Sequence, residues 1–148
     1  MVVRDEPFVV VDGAHNLDGV AALVDEIPHL LGERPLTLVF ASMVDKAWAE
    51  MLPQLAVRAQ RVVLTRVGRR GCPPDVLATV LGGRDVQAFE DPRAAVRSAV
   101  ATCPSGGGVL VAGSLYLVGE TLAEILGPDA ALFAPWKGWE PFGTGAAR

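Results

Sequence analysis

Five short runs of β-branched and large apolar residues recur along the chain: 8–12 (FVVVD), 36–41 (LTLVFA), 61–65 (RVVLT), 85–89 (DVQAF) and 108–112 (GVLVA). They are near-continuously apolar rather than alternating, as expected of strands covered on both faces of a parallel sheet. Between them, apolar residues return with helical spacing. Leu17, Val20, Val24, Ile27 and Leu31 line the first stretch, and Trp48, Met51, Leu52 and Leu55 the second. Val96, Ala99 and Val100 mark the fourth, and Leu115, Val118, Leu122, Ile125 and Leu126 the last. Pro73 and Pro74 suit the first turn of a short third helix that ends before Gly82. Pro28 and Pro53 fall inside helical patterns and are expected to shorten or kink those helices. Strand–helix alternation repeated five times predicts an α/β domain with a parallel sheet and right-handed crossovers.

The pattern stops near Gly127, where the sequence becomes rich in Gly, Pro and Ala. Residues 1–127 are expected to form one domain. Residues 128–148 read as a tail that wraps over it through Trp136 or Trp139, or stays disordered. A chain of 148 residues is the size of one domain. A hydrophobic fraction of 51% supplies a real core and excludes a disordered or fibrous class. The net charge of −4 argues against nucleic acid as a partner. The longest apolar run, around 109–118, is about half of what a membrane span needs. The start, MVVRDEPF, does not have the form of a leader peptide. Cys72 and Cys103 are too few for a disulfide scaffold and lack metal-ligand spacing. The expectation is a cytoplasmic, monomeric domain with reduced thiols, no membrane contact and no metal site of its own.

Candidate chemistry concentrates just after the strands, where open parallel sheets bind ligands. DGAHN (12–16) follows the first strand. Asp12 is a strand-end carboxylate of the kind that accepts from ribose hydroxyls, and Gly13 permits a tight turn with positive φ. Asn16 can cap the next helix and leave its N–H groups facing an anion. His15 can donate to a phosphate or polarise a carbonyl. An ordinary strand–turn–helix junction accounts for the spacing equally well. Lys46, in ASMVDK, is one of only two lysines among thirteen basic residues. A lysine at a helix start opposes the helix dipole unless it holds an anion, although a surface pair with Asp45 is the plainer reading. Arg66, Arg69 and Arg70 form a basic loop after the third strand; Ser114, beside Tyr116, can cap the last helix or bind a carboxylate.

Several signatures are missing. The sequence contains no G-x-x-x-x-G-K-[ST] phosphate loop, no G-x-G-x-x-G fingerprint and no G-x-S-x-G nucleophile elbow. A receiver domain would carry an acid where Thr65 stands and a lysine where Ser114 stands.

Two motifs together resemble a family. DGAHN after the first strand and GSLYLVGE (113–120) after the last are similar to the paired signatures of the folylpolyglutamate and dihydrofolate synthases, members of the Mur ligase superfamily. SMVDKAW resembles that family's Asp-Lys element and Leu64-Thr65-Arg66 its Thr-Arg element, so the likeness covers roughly 8–126. The resemblance implies a Rossmann-like sheet of five or six strands, with room for one antiparallel strand. It implies the C-terminal domain of an ATP-dependent ligase that joins L-glutamate to a folate or dihydropteroate carboxylate through an acyl phosphate. The phosphate loop and the Mg²⁺ ligands would lie in a preceding central domain, the partner this chain closes upon. Asp12 would bind the ATP ribose, with Asn16 supporting the turn, and His15 would stand near the phosphates and the reacting centre. Lys46 and Ser114 would hold carboxylates of the incoming glutamate, with Tyr116 nearby. Arg4 is the candidate for the family's ATP-contacting arginine upstream of the first strand. A stand-alone binding module, or a Mur-type ligase for another amino acid, are the alternatives.

Overall fold

A computed structural model of the chain describes residues 1–128. The tail with Trp136 and Trp139 lies outside the described residues. The elements are β1 (Val2–Arg4), β2 (Phe8–Val11), α1 (Leu17–Leu31), β3 (Leu36–Phe40), α2 (Trp48–Ala56), β4 (Arg61–Thr65) and α3 (Pro74–Ala78). A 3₁₀ turn (Thr79–Leu81) leads to β5 (Val86–Phe89), α4 (Pro92–Ala101), β6 (Gly108–Ala112) and α5 (Leu115–Leu126). One six-stranded sheet has the order β1-β2-β6-β3-β4-β5. All its pairs are parallel except β1 with β2. The three-residue β1 escaped the sequence pattern because it is too short for any periodicity to register.

The order explains the layering. Steps from β2 to β3, β4 and β5 all run one way across the sheet, so right-handed crossovers put α1, α2 and α3 on one face. The step from β5 back to β6 reverses, so α4 goes to the other face, and α5 packs beside it. The pleat sorts side chains accordingly. Val10, Leu38, Phe40, Leu64 and Leu110 face the three-helix side. Val9, Val39, Val63, Val109 and Val111 face α4 and α5. Two-sided coverage is why β3 and β6 are buried at every position. β5 departs from that expectation: as the edge strand it leaves Gln87 and Ala88 exposed.

Neither proline ends its helix early. Pro28 and Pro53 each sit four residues before the C-cap, and their carbonyls accept from Gly32 N–H (2.9 Å) and Val57 N–H (3.1 Å). A proline lacks a donor but keeps its acceptor, so the last turn closes normally. Between α4 and α5, Arg93 Nε donates to Glu120 Oε2 at 2.7 Å, and Glu120 is 1% exposed. That pair ties α5 to α4, its neighbour on the same face of the sheet.

Gly113, between β6 and α5, has φ +100°, and a Cβ there would lie 2.4 Å from the Ala41 carbonyl and 2.5 Å from the Phe40 ring. Left-handed strain and overpacking each cost about 1–3 kcal/mol. Gly113→Ala should therefore cost at least about 2 kcal/mol, read as a lower urea midpoint at constant m-value. Gly82→Ala, also at positive φ (+61°) but in open space, should cost less. Equal losses in the two variants would show that crowding at Gly113 is unimportant.

Candidate functional site

The strand order creates the site. Chain leaving β2 and β3 turns to the α1–α2 face, whereas chain leaving β6, which lies between them, turns to the α4–α5 face. Loops departing in opposite directions open a crevice at the carboxyl ends of the strands. DGAHN and GSLY both sit there, and backbone bonds join them: Asp12 N–H donates to Val111 O and Gly113 N–H to Ala14 O, each at 2.9 Å.

Within DGAHN every polar side chain is already oriented. Asp12 Oδ1 accepts from Ala14 N–H at 2.8 Å, which holds the turn and leaves Oδ2 for another donor. Asn16 is the N-cap of α1 and accepts from Gly19 N–H at 2.8 Å. His15 Nδ1 lies 2.7 Å from Gly13 O. A carbonyl only accepts, so Nδ1 carries the proton and a neutral His15 presents Nε2 as an acceptor. Gly13 differs from expectation, since its φ is not positive. A Cβ there would stand 2.5 Å from Leu115 Cδ2, the end of a half-buried side chain that would have to turn aside to admit it. The two loops pack closely at this point.

Ser114 caps α5, accepting from Tyr116 N–H at 3.2 Å; it is buried, while the Tyr116 ring is half exposed. Lys46 is exposed in the loop before α2. The expected Asp45–Lys46 pair does not form: Asp45 pairs instead with Arg70 at 3.1 Å. Lys46 makes no ion pair among the described residues.

Two depressions result, and His15 lines both. The larger, about 490 Å³, is bordered by Asp12, Gly13, Asn16 and the outer side of α1. The smaller, about 180 Å³, is bordered by Met43, Lys46, Ser114, Leu115 and Tyr116. All six sequence candidates thus fall on one crevice, with Asp12 and Asn16 on one side and Lys46, Ser114 and Tyr116 on the other. Met43 was missed, because a single apolar residue in a loop has no periodic partner to flag it. Arg4 does not join the site. β1 runs antiparallel, so it carries Met1 towards Val11 and Arg4 away to pair with Val9. Among the described residues no three His, Cys, Asp or Glu side chains come together to hold a metal. None of the described helices is long and apolar enough to cross a membrane.

This geometry is that of a known class. The family model for the Mur ligase, glutamate ligase domain, matches residues 1–115, and the chain belongs to that family. Within it, the relatives are folylpolyglutamate synthases above all. A probable bifunctional folylpolyglutamate synthase/dihydropteroate synthase of Haloferax volcanii is 38% identical, over 80% of this chain and 14% of its own length. The folylpolyglutamate synthase of Lacticaseibacillus casei is 29% identical, over 84% of this chain and 28% of its own. A UDP-N-acetylmuramoyl-L-alanyl-D-glutamate–2,6-diaminopimelate ligase of Streptomyces coelicolor is 33% identical, over 82% and 26%. The bifunctional folylpolyglutamate synthase/dihydrofolate synthase of Yersinia pestis, solved with AMPPNP and Mn, superposes with a TM-score of 0.76 at 27% identity. It is covered over 30% of its length by 83% of this chain. A synthase of the same type with Mn, AMPPNP and L-glutamate bound gives the same values. The chain therefore spans less than a third of the relatives it matches, and the expected α/β fold of that C-terminal domain is the one observed.

Cys72 lies beneath the Lys46 loop and donates its N–H to Ser42 O at 2.7 Å. Burial, and then Asp75, push its thiol above the usual range, while Arg66 opposes them. The folded chain thus holds the thiol proton to higher pH than the unfolded chain does. This contribution is complete below the unfolded thiol's pKa, about 8.5, and is lost as pH rises through the folded one. Between about pH 8 and 10 the urea midpoint should fall less steeply in Cys72→Ala than in the parent. Identical slopes would contradict the assignment.

Proposed function

We propose that this chain is the C-terminal, nucleotide- and glutamate-binding domain of an ATP-dependent amide ligase that adds L-glutamate to a folate or dihydropteroate carboxylate. The observation that carries this reading is the pair of depressions meeting at His15. Among the described residues, one side offers a free carboxylate oxygen and a capped helix start, and the other an unpaired cation beside a helix N-terminus. That division matches two substrates, a nucleotide and an acidic amino acid, whose reacting ends must meet. The AMPPNP and L-glutamate bound in a synthase of the same fold support it.

The chemistry runs in two steps. The acceptor carboxylate attacks the γ-phosphorus of ATP, forming an acyl phosphate and releasing ADP. The glutamate amine then attacks the acyl carbon, and the tetrahedral intermediate collapses to the amide with expulsion of phosphate. Asp12 Oδ2 accepts from ribose hydroxyls and Asn16 keeps the turn closed. His15 Nε2, fixed by the Nδ1–Gly13 bond, takes a proton from the incoming glutamate's ammonium, freeing the amine that attacks, and once protonated donates to the phosphate. Lys46 pairs with a glutamate carboxylate, and the Ser114 hydroxyl proton and adjacent α5 N–H groups bind it from the other side, with Tyr116 at the rim. A divalent metal would neutralise phosphate charge; its ligands, like the phosphate loop, would lie in a preceding domain of the enzyme. By itself the chain binds without turning over.

In the full-length enzyme, Asp12→Ala should raise KM for ATP about tenfold or more, with KM for glutamate little changed. Lys46→Ala should do the reverse, by about fivefold or more, and His15→Gln should lower kcat. Unchanged kinetics in all three would remove these roles. A second reading, a Mur-type ligase for another amino acid, is favoured by the 33% identity to the diaminopimelate-adding enzyme. It would be recognised by turnover with diaminopimelate and none with glutamate.

A further inference from the structure

We propose that the loop 66–72, after β4, is a latch that sets the position of Lys46, with Arg70 and Gly71 as positioning residues for the amino-acid side of the site. The inference rests on the reading of Lys46 just given. Lys46 belongs to a loop of its own strand, β3, yet what holds that loop comes from the neighbouring strand. Val44 N–H donates to Arg70 O at 3.0 Å and Cys72 N–H to Ser42 O at 2.7 Å, forming an antiparallel bridge between Met43 and Gly71. Arg70 Nη2 then reaches Asp45 Oδ2 at 3.1 Å, one residue before Lys46. Within the loop, Lys46 N–H donates to Met43 O at 3.2 Å and Ser42 Oγ to the same carbonyl at 3.4 Å.

The latch loop is itself tightly wound. Gly71 N–H donates to Gly68 O at 3.2 Å, and Arg66 Nη2 to Arg69 O at 3.1 Å. A Cβ on Gly71 would lie 2.5 Å from Val67 O and 2.7 Å from Val67 N, so the loop closes only around glycine. Arg69 is different, since its side chain makes no hydrogen bond or ion pair among the described residues. The basic run 66–70 therefore divides by role. Arg66 braces the loop, Arg70 clamps Asp45, and Arg69 is left to solvent.

Asp45 separates positioning from simple charge attraction. If the run only drew anionic glutamate in, Arg70→Ala would raise its KM and Asp45→Ala would lower it. If the pair positions Lys46, both variants raise KM for glutamate. The expected rise is about three- to fivefold, small because the pair is exposed, with KM for ATP and kcat unchanged. Asp45→Arg combined with Arg70→Asp should restore the parent value, and Arg69→Ala should match the parent.

Amide exchange on the 148-residue chain supplies a readout independent of turnover. Val44 N–H should exchange about three- to tenfold faster in Arg70→Ala and in Asp45→Ala, while Leu110 N–H in β6 keeps its parent rate. KM shifts of opposite sign in the two variants, or an unchanged Val44 rate, would overturn the latch. Absence of glutamate-dependent turnover in the parent enzyme would overturn the proposed function, and Val44 exchange would still decide the latch.

Discussion

The structure turns on how closely two loops can approach each other over the ends of β2 and β6. Gly113 is wedged against the Ala41 carbonyl and the Phe40 ring, and Gly13 lies against the end of the Leu115 side chain. These contacts allow Gly113 N–H to reach Ala14 O and Asp12 N–H to reach Val111 O. A larger residue at Gly113 would meet main chain and a buried ring and push the loops apart. The geometry of the crevice therefore comes from the absence of a side chain at Gly113 as much as from the presence of polar ones.

Beneath that contact, the sheet supplies a rigid base through an unequal division of its faces. Leu and Phe dominate the side under α1, α2 and α3, and Val the side under α4 and α5. The larger side chains fill the broader three-helix layer, while the shorter valines let α4 and α5 lie near the strands. The buried Arg93–Glu120 pair joins those two helices. Such a pair contributes little net stability against its desolvation cost, but breaking it would leave a buried charge. Its effect is to set α5 in one place, and with it Ser114 and Tyr116.

Most polar groups of the site serve structure first. Asp12 holds a turn, Asn16 and Ser114 cap helices, and the His15 ring is tied to its own backbone. Each is thereby preorganised, which limits the ordering cost of binding. Among the described residues the Lys46 ammonium has no such tether, and its loop borrows one from the strand next door.

Much of this was legible along the chain. The five apolar runs marked β2, β3, β4, β5 and β6 to within a residue or so, since buried parallel strands need unbroken apolar sequence. The strand ends, and so the six candidate residues, followed from the same boundaries. β1 was too short to register, and Pro28 and Pro53 do not shorten their helices as expected. Asp45 was paired with its sequence neighbour when its partner is Arg70, on another strand's loop. Gly13 was credited with a left-handed turn, yet its φ is not positive, and the side chain it lies against is Leu115, about a hundred residues away. Local pattern determined what depends on neighbours in sequence: element type, order, caps and the placing of polar residues at strand ends. Only the tertiary structure decided strand order, the switch at β6, the crowding at Gly113 and the anchoring of Lys46. Those arise between segments distant in sequence, where burial and close packing act on surfaces that no single stretch of chain contains.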